Sequence, residues 1–544
     1  MVLIKINEML QTRGKSPWVP YQRAFVTFVS TAFLLNTTAH ALPQNGSVAA
    51  GDAALNYSQN QLDVQQNSAK VIVNWDSFDI QANETVNFNQ PSSSSVILNR
   101  VQGSNASEIF GKMNANGQVF LVNPHGVTFA PGAQVNVGAL VASTLDIKDN
   151  DFLNGNYQFE AGSGLGTIAN SGQINANTIA LLGNQVTNDG WLIASTDASN
   201  RANVAMVAGD KIKLSFGGDG LLAVDVEAGT YNGLVENRQL IRADGGQVLL
   251  RAEAADALLG AAVNNSGVIQ AQGIAERDGK IVLLADMEHG TTTADGTLDA
   301  SSSTGDGGFI DTSAAHVKVK GSAKVTAASD HGENGLWLID PNDLIIDSSN
   351  ITAYNTSLAG GTNVELNTVT NGSAGGNGDI FVNAAFSWSA ANTILTLKAE
   401  NNIHINATIT ASGSGSGVHL NTGLSHNTGA GDWSKTFDDN ALDTGTATTF
   451  TDAERMLSER IKYADDATIT LSGNNAIYRE DNIDYAVVNG KNSNIAGSNV
   501  KTEFANMGLG LDSYVLGVDL NFGNTAYTSP DGATGNPGRV RFDG

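Results

Sequence analysis

The chain of 544 residues contains no cysteine. Disulfide-stapled scaffolds and cysteine-ligated zinc knuckles are therefore excluded, and no disulfide can lock the chain in an oxidising compartment. Proline is scarce at 9 residues, below the typical ~5 %, which argues against a proline-rich stalk. Basic residues are also few: 29 Lys and Arg face 54 Asp and Glu, for a net charge of −25. That balance disfavours nucleic acid and anionic membrane as partners. Past residue 41 no stretch approaches the ~20 consecutive apolar residues of a spanning helix, so no membrane span is expected in the mature chain. Only 15 % of residues are charged while 41 % are hydrophobic, a balance that argues against wholesale disorder.

What the chain has instead is glycine, 60 residues, placed at polar turns between short apolar runs. Residues 1–41 read as a cleavable leader. Lys5, Arg13, Lys15 and Arg23 form a basic region, Phe25 to Leu35 an apolar segment too short to span a bilayer, and Ala39-His40-Ala41 a small-x-small cleavage site. The segment AKVIVNWDSFDIQANETVNFNQ then alternates apolar and polar residues with the period of strands.

Beyond Thr144 a loose repeat, Asn-x-Gly-x-apolar-x-Ala, occurs at Asn170 (NSGQINA), as a variant at Asn188 (NDGWLIAS), at Asn265 (NSGVIQA) and more weakly at Ala294 (ADGTLDA). Gly-led runs lie between the copies: GDKIKLSF, GGQVLLRA and GKIVLLAD. A short recurring period means a solenoid. The expected fold is all-β, a right-handed parallel β-helix with extra-helical hairpins; the less favoured alternative is a β-sandwich. Gly or Asn is expected at left-handed corners, with Asn side chains stacked in amide ladders. At ~20 residues per coil, residues 52–330 would make roughly 14 coils.

The stretch Asn99 to Thr144 reads NRVQGSNASEIFGKMNANGQVFLVNPHGVTFAPGAQVNVGALVAST. Pro124 presets the backbone of a turn and Gly126 tolerates positive φ, so NPHG is a β-turn between the strands VFLV and VTFA. This stretch resembles the filamentous-haemagglutinin family, the exoproteins of two-partner secretion, where the turn is usually close to NPNG and a run like GALVAST follows. The WDSF segment and GLWLIDPNDLIIDSS (Gly335 to Ser349) are similar to family segments as well. The resemblance implies that Asn99, Arg100, Asn123, Pro124, Gly126 and Asn136, with His125 as the departure from the usual Asn, mark recognition by a dedicated outer-membrane pore protein. The competing reading is that these residues cap turns and satisfy backbone groups.

Domains are expected at 1–41 (leader), 42–290 (secretion domain), 291–424 (further coils) and 425–544 (a C-terminal body). In that body TDAERMLSERIKYADD, 451–466, reads as one short helix with Thr451 as N-cap and Glu454 three residues on. No catalytic, cofactor or metal site is read. The eight histidines show no HExxH spacing, and GxSxG and Walker motifs are absent. GGNGDIFVN approaches a calcium nonapeptide, yet a β-helix turn suits it better. Asp340, Asp343 and Asp347 lie close in sequence, and Asp340 and Asp343, which flank the turn Pro341-Asn342, read as turn formers and not as catalysts. The resemblance implies a secreted, non-enzymatic protein that acts as an adhesin on a host cell surface or glycan. Its alternatives are a binder of a haem-carrier protein and a carbohydrate-active β-helix enzyme.

Overall fold

The computed structural model describes residues 42–422 apart from 165, 197–200, 217–219, 257–259, 275–276 and 369–376. It further describes 461–464, 467–472, 476–480, 483–488 and short strands at 514–516, 527–528 and 534–535. The expected leader, with Ala39 and Ala41, lies outside the described residues.

Parallel coils are built because the chain alternates apolar residues inward and meets the same residue type one coil later. In the main sheet Val71, Ile97, Val119, Leu140, Ile179, Val204, Val248, Ile281 and Ile310 lie in register across successive strands. All are buried to within 1 %. Fully burying each such side chain contributes roughly 1.5–3 kcal/mol. A second, eight-stranded sheet and a third, eleven-stranded sheet close the coil, and both are parallel over Val127–Phe129 to His316–Val319 and Gln134–Asn136 to Lys324–Thr326. Antiparallel strands Ser47–Ala50 and Ala53–Ser58 cover the first coils. The β-sandwich alternative is thereby excluded.

The Asn repeat is one turn of the second sheet. Asn170, Asn188, Asn237 and Asn265 stack in register, and each side-chain nitrogen donates to the next amide oxygen at 2.8 Å. The expected ladder exists, but its geometry differs from a left-handed corner. Among the described residues the non-glycine positive-φ positions are Leu42, Asn45, Asn232 and Asn392, none of them in the ladder. The ladder Asn side chains are buried and their oxygens accept from the N–H two residues on, as at Gly172 (3.1 Å) and Gly190 (3.3 Å). Glycine is needed there for room: a Cβ on Gly190 would sit 2.2 Å from the Gly172 carbonyl oxygen of the coil below.

The count of about 14 coils over 52–330 is too high. Main-sheet strands in that span begin at Lys70, Val96, Gln118, Ala139, Thr178, Asn203, Gln247, Lys280 and Phe309, nine in all. Insertions account for the difference: the ladder step is 18 residues from Asn170 to Asn188 but 49 from Asn188 to Asn237. Part of the excess is an extra-helical antiparallel sheet, Asp146–Ile147, Tyr157–Glu160, Lys211–Phe216 and Leu222–Ala228, with the helix Asp149–Asn154. GDKIKLSF belongs to this flap and not to a coil. The flap packs Phe152, Phe159, Ile212, Leu214 and Leu222 on the outer face of the main sheet at Phe120, Val141, Ala180 and Ala205, making a second core.

At Lys324–Thr326 the third sheet ends, while the main sheet continues through Leu336–Asp340, Asn363–Asn367, Ile394–Lys398 and Gly417–Asn421. The helix Ile351–Ala359 lies between Lys324–Thr326 and Phe386–Trp388, and two new parallel sheets begin before and after it in the chain, at Leu344–Ile346 and Phe386–Trp388. Most of the expected helix at 451–466 lies outside the described residues. Its described strand, Ile461–Tyr463, pairs in parallel with Ile403–Ile405, and Ile461 continues the buried column of Ile403. Among the described residues no helix is long and apolar enough to cross a membrane.

Candidate functional site

Asn99 faces inward from the strand Val96–Val101, in the column between Val73 and Leu121. It is wholly buried. Its oxygen accepts the Trp75 indole N–H at 3.1 Å and its nitrogen donates to the Phe120 carbonyl at 3.3 Å. A buried amide with both ends engaged fixes strand register, because a slip would strand both polar groups.

Arg100, the next residue, points outward and holds the flap. Its guanidinium donates to Asp146 at 2.8 Å, to Asp149 at 2.6 Å and to the Ile147 carbonyl. Burial works against its charge, but the Asp149 and Asp146 carboxylates stabilise it by more, so its pKa rises above the ordinary value. Lys70 grips the other end of the small helix, donating to the Leu153 carbonyl at 2.7 Å. A cation at a helix C-terminus and carboxylates in its first turn both suit the helix dipole.

Asn123 begins the turn after the strand Gln118–Val122. It is also wholly buried. Its nitrogen donates to the Asn105 carbonyl and the Ser107 hydroxyl, both at 3.0 Å, and its oxygen accepts the His125 N–H at 2.9 Å. The Gly126 N–H closes the β-turn on the Asn123 carbonyl at 3.0 Å, with φ +118° that only glycine takes without strain. The Gly166 N–H donates to the Pro124 carbonyl and the Val127 N–H to the Thr167 carbonyl, so Gly166 and Thr167 lie over the turn. Pro124 is half-buried and His125 alone in the turn is exposed. Asn136 stands elsewhere, exposed on the third sheet, where it accepts from Asn175 at 2.8 Å.

The structure thus brings Asn99, Arg100 and the 123–126 turn into neighbouring coils and leaves Asn136 apart. Trp75, Lys70, Asp146 and Asp149 are partners that sequence reasoning did not assign. Asn237 was missed because its triplet, NRQ, lacks the glycine of the repeat. Two of the acidic candidates are turn formers in the structure: Asp343 accepts the N–H groups of Asn377, Gly378 and Asp379, and Asp347 accepts the Ser349 N–H and hydroxyl, whereas Asp340 ends the strand Leu336–Asp340. In GGNGDIFVN, Asp379 accepts from Asn401 and Asn402 of the next coil. Among the described residues no group of three potential ligands could hold a metal ion.

Residues 39–300 match the sequence profile of the TPS (two-partner) secretion domain. Residues 39–300 are thus similar to a TPS secretion domain. Two proteins of Haemophilus influenzae, each named Heme/hemopexin-binding protein, are similar to its region. One is 36 % identical over 258 residues, covering 46 % of this chain and 28 % of that protein. The other is 32 % identical over 246 residues, covering 42 % and 26 %. The matches therefore span less than a third of these relatives' length. The crystal structure of the HMW1 secretion domain from Haemophilus influenzae aligns with a TM-score of 0.53 at 21 % identity, covering 81 % of this chain and all of that one. That likeness supports the parallel β-helix. TPS exoproteins are secreted across the outer membrane to the extracellular space, and the domain implies an outer-membrane pore protein as partner.

Proposed function

We propose that Asn99, Arg100 and the Asn123–Gly126 turn serve export by being read while the chain is extended, and then by setting register as the coils close. The observation that carries this reading is burial: Asn99 and Asn123 have no exposed surface in the folded coil, so a pore protein can touch them only before folding. Coil-by-coil stacking then lets the emerging chain gain stability from nearest-neighbour interfaces, which opposes back-sliding. The Asn123→Ala chain, expressed with its pore partner, should reach the medium at about a tenth of the normal level or less, given two or more lost buried hydrogen bonds. Normal levels in the medium would refute the role.

Outside the cell, the proposed role is adhesion: a stack of coils presents side chains at fixed spacing to a cell surface or glycan. A second reading, binding of a haem-carrier protein, is favoured by the names of the two relatives at 36 % and 32 % identity. Purified secreted chain tested on cell surfaces and on immobilised hemopexin separates the two. Capture of hemopexin without cell binding would favour the second.

A further inference from the structure

Most of the outer surface of the third sheet is polar, with one exception. Trp191 is 50 % exposed and Val268 40 % exposed, and they lie in one column, Trp191–Leu240–Val268, over three successive coils. Ile193 stands beside Trp191 on the same face, half-buried. The other described tryptophans, Trp75, Trp337 and Trp388, are buried. A half-exposed indole on a rigid sheet face, continued by aliphatic side chains, is an apolar platform that folding alone does not require.

Amides line the platform, with the Asp299 carboxylate at its edge, where it accepts from Gln272 at 2.8 Å. Gln173 precedes Trp191 in the column and bonds Asn175 at 3.2 Å, and Gln270, beside Val268, bonds Gln272 at 2.8 Å. Arg242, on the same face between Ile193 and Gln270, has Asp244 at 3.9 Å.

We propose that this face binds a neutral, hydroxyl-rich polysaccharide lying along the coil axis, with a sugar ring stacked on Trp191. Charge decides the class. The chain carries −25, and on the platform Arg242 is met by the Asp244 carboxylate with Asp299 close by, so anionic glycans, nucleic acid and acidic lipid surfaces are repelled. A peptide adding as a strand finds no edge, because Trp191–Ala194 is paired on both sides, with Gln173–Ala176 and Leu240–Arg242. Coils repeat every ~4.8 Å, which is comparable to the length of one pyranose unit in an extended chain. Successive sugars therefore meet Trp191, Leu240 and Val268 in turn, while amides accept and donate to their hydroxyls. The indole presents an apolar face to the ring and its N–H to an oxygen.

The inference gives the adhesive reading a ligand class, and it rests on that reading only for its biological use. The test uses the full secreted chain in native gels containing laminarin, hydroxyethyl cellulose or mannan, with heparin as the anionic control. The expected result is retardation by at least one neutral polysaccharide, a blue shift of emission absent from Trp191→Phe, and affinity lost by about tenfold in Trp191→Ala. Trp191→Phe should keep most of the retardation, because the ring is conserved. Val268→Lys, at an exposed position, tests the platform without touching the tryptophan and should also weaken it. Equal urea midpoints for the variants and the wild type establish that they are folded. Retardation by heparin alone, by none of the four, or unchanged in Trp191→Ala overturns the site. If the wild-type chain binds cells but is retarded by no polysaccharide, the site fails and the adhesive reading stands. If retention is intact and cells do not bind, the reverse holds.

Discussion

The coils from Lys70–Trp75 to Phe309–Ser313 and those from Leu336–Asp340 to Gly417–Asn421 share one continuous main sheet but solve their polar problems differently. In the first region, buried amides carry the polar load: the Asn170–Asn265 ladder, and Asn99 under Trp75. Where the second region begins, the same inward column as Asn99 holds Thr312, whose hydroxyl accepts the Trp337 indole N–H at 3.1 Å. Tyr354 then lies between Trp337 and Phe386, with ring centroids 5.4 and 6.2 Å apart. Outer faces differ too. Phe120, Val141, Ala180 and Ala205 lie under the flap, whereas the same column beyond Val282 passes to Asp311, Leu338 and Glu365. The difference teaches that a single parallel stack accepts either amide ladders or aromatic clusters inside, provided each coil offers its neighbour the same kind of group.

The largest expected effect breaks the ladder at its middle. Asn188→Ala removes the acceptor for Asn170 and the donor for Asn237, two buried groups, and should cost about 3 kcal/mol or more, read as a lower urea midpoint. The paired tryptophans sharpen the contrast next. Trp75→Phe leaves the Asn99 oxygen facing a ring without its donor and should cost about 2–3 kcal/mol. Trp337→Phe should cost less, about 1–2 kcal/mol, because the Thr312 hydroxyl keeps its bond to the Leu338 carbonyl and can rotate. Equal losses would deny the contrast.

Asp311 gives a pH signature to the junction. Burial, with Asp340 nearby, pushes its carboxyl from the ordinary 3.8 up to about 6, against the opposing pull of Ser313 and Lys280. The folded state then holds its proton more tightly than the unfolded one. This contribution is complete below pH 4, falls as pH rises through 6, and amounts to a change on the order of 3 kcal/mol. Asp311→Asn should flatten that stretch of the stability-versus-pH curve; an unchanged slope would place the proton elsewhere. The smallest effect is expected at His125, the exposed residue of the turn. His125→Asn should move stability by no more than about 0.5 kcal/mol, so any larger change in export would report partner contact and not folding.

Much of the fold was legible because coil stacking writes itself into sequence as alternation and as N-x-G repeats. Asn170, Asn188 and Asn265 gave the coil and the ladder before any coordinates. The flap was harder: Lys211–Phe216 has the same alternation as a coil strand, and nothing local says that it leaves the stack. The strand Ile461–Tyr463 was hidden in a stretch whose charges suggested a helix, since its partner Ile403–Ile405 lies far back in the chain. Within the site, the β-turn at 123–126 followed from Pro124 and Gly126. The Trp75–Asn99 bond and the Arg100 grip on Asp146 and Asp149 did not, because they span 24, 46 and 49 residues.

By itself, then, the sequence determined the coil, its inward alternation, the turn NPHG and the resemblance to secreted exoproteins, all of which depend on neighbours within one repeat. Only the tertiary structure decided which face each polar residue takes. Asn99 and Asn123 are inside, Arg100 and Asn136 outside, and Trp191 is half in water, because burial is set by what the next coil or the flap lays over a residue, and that partner arrives from far along the chain.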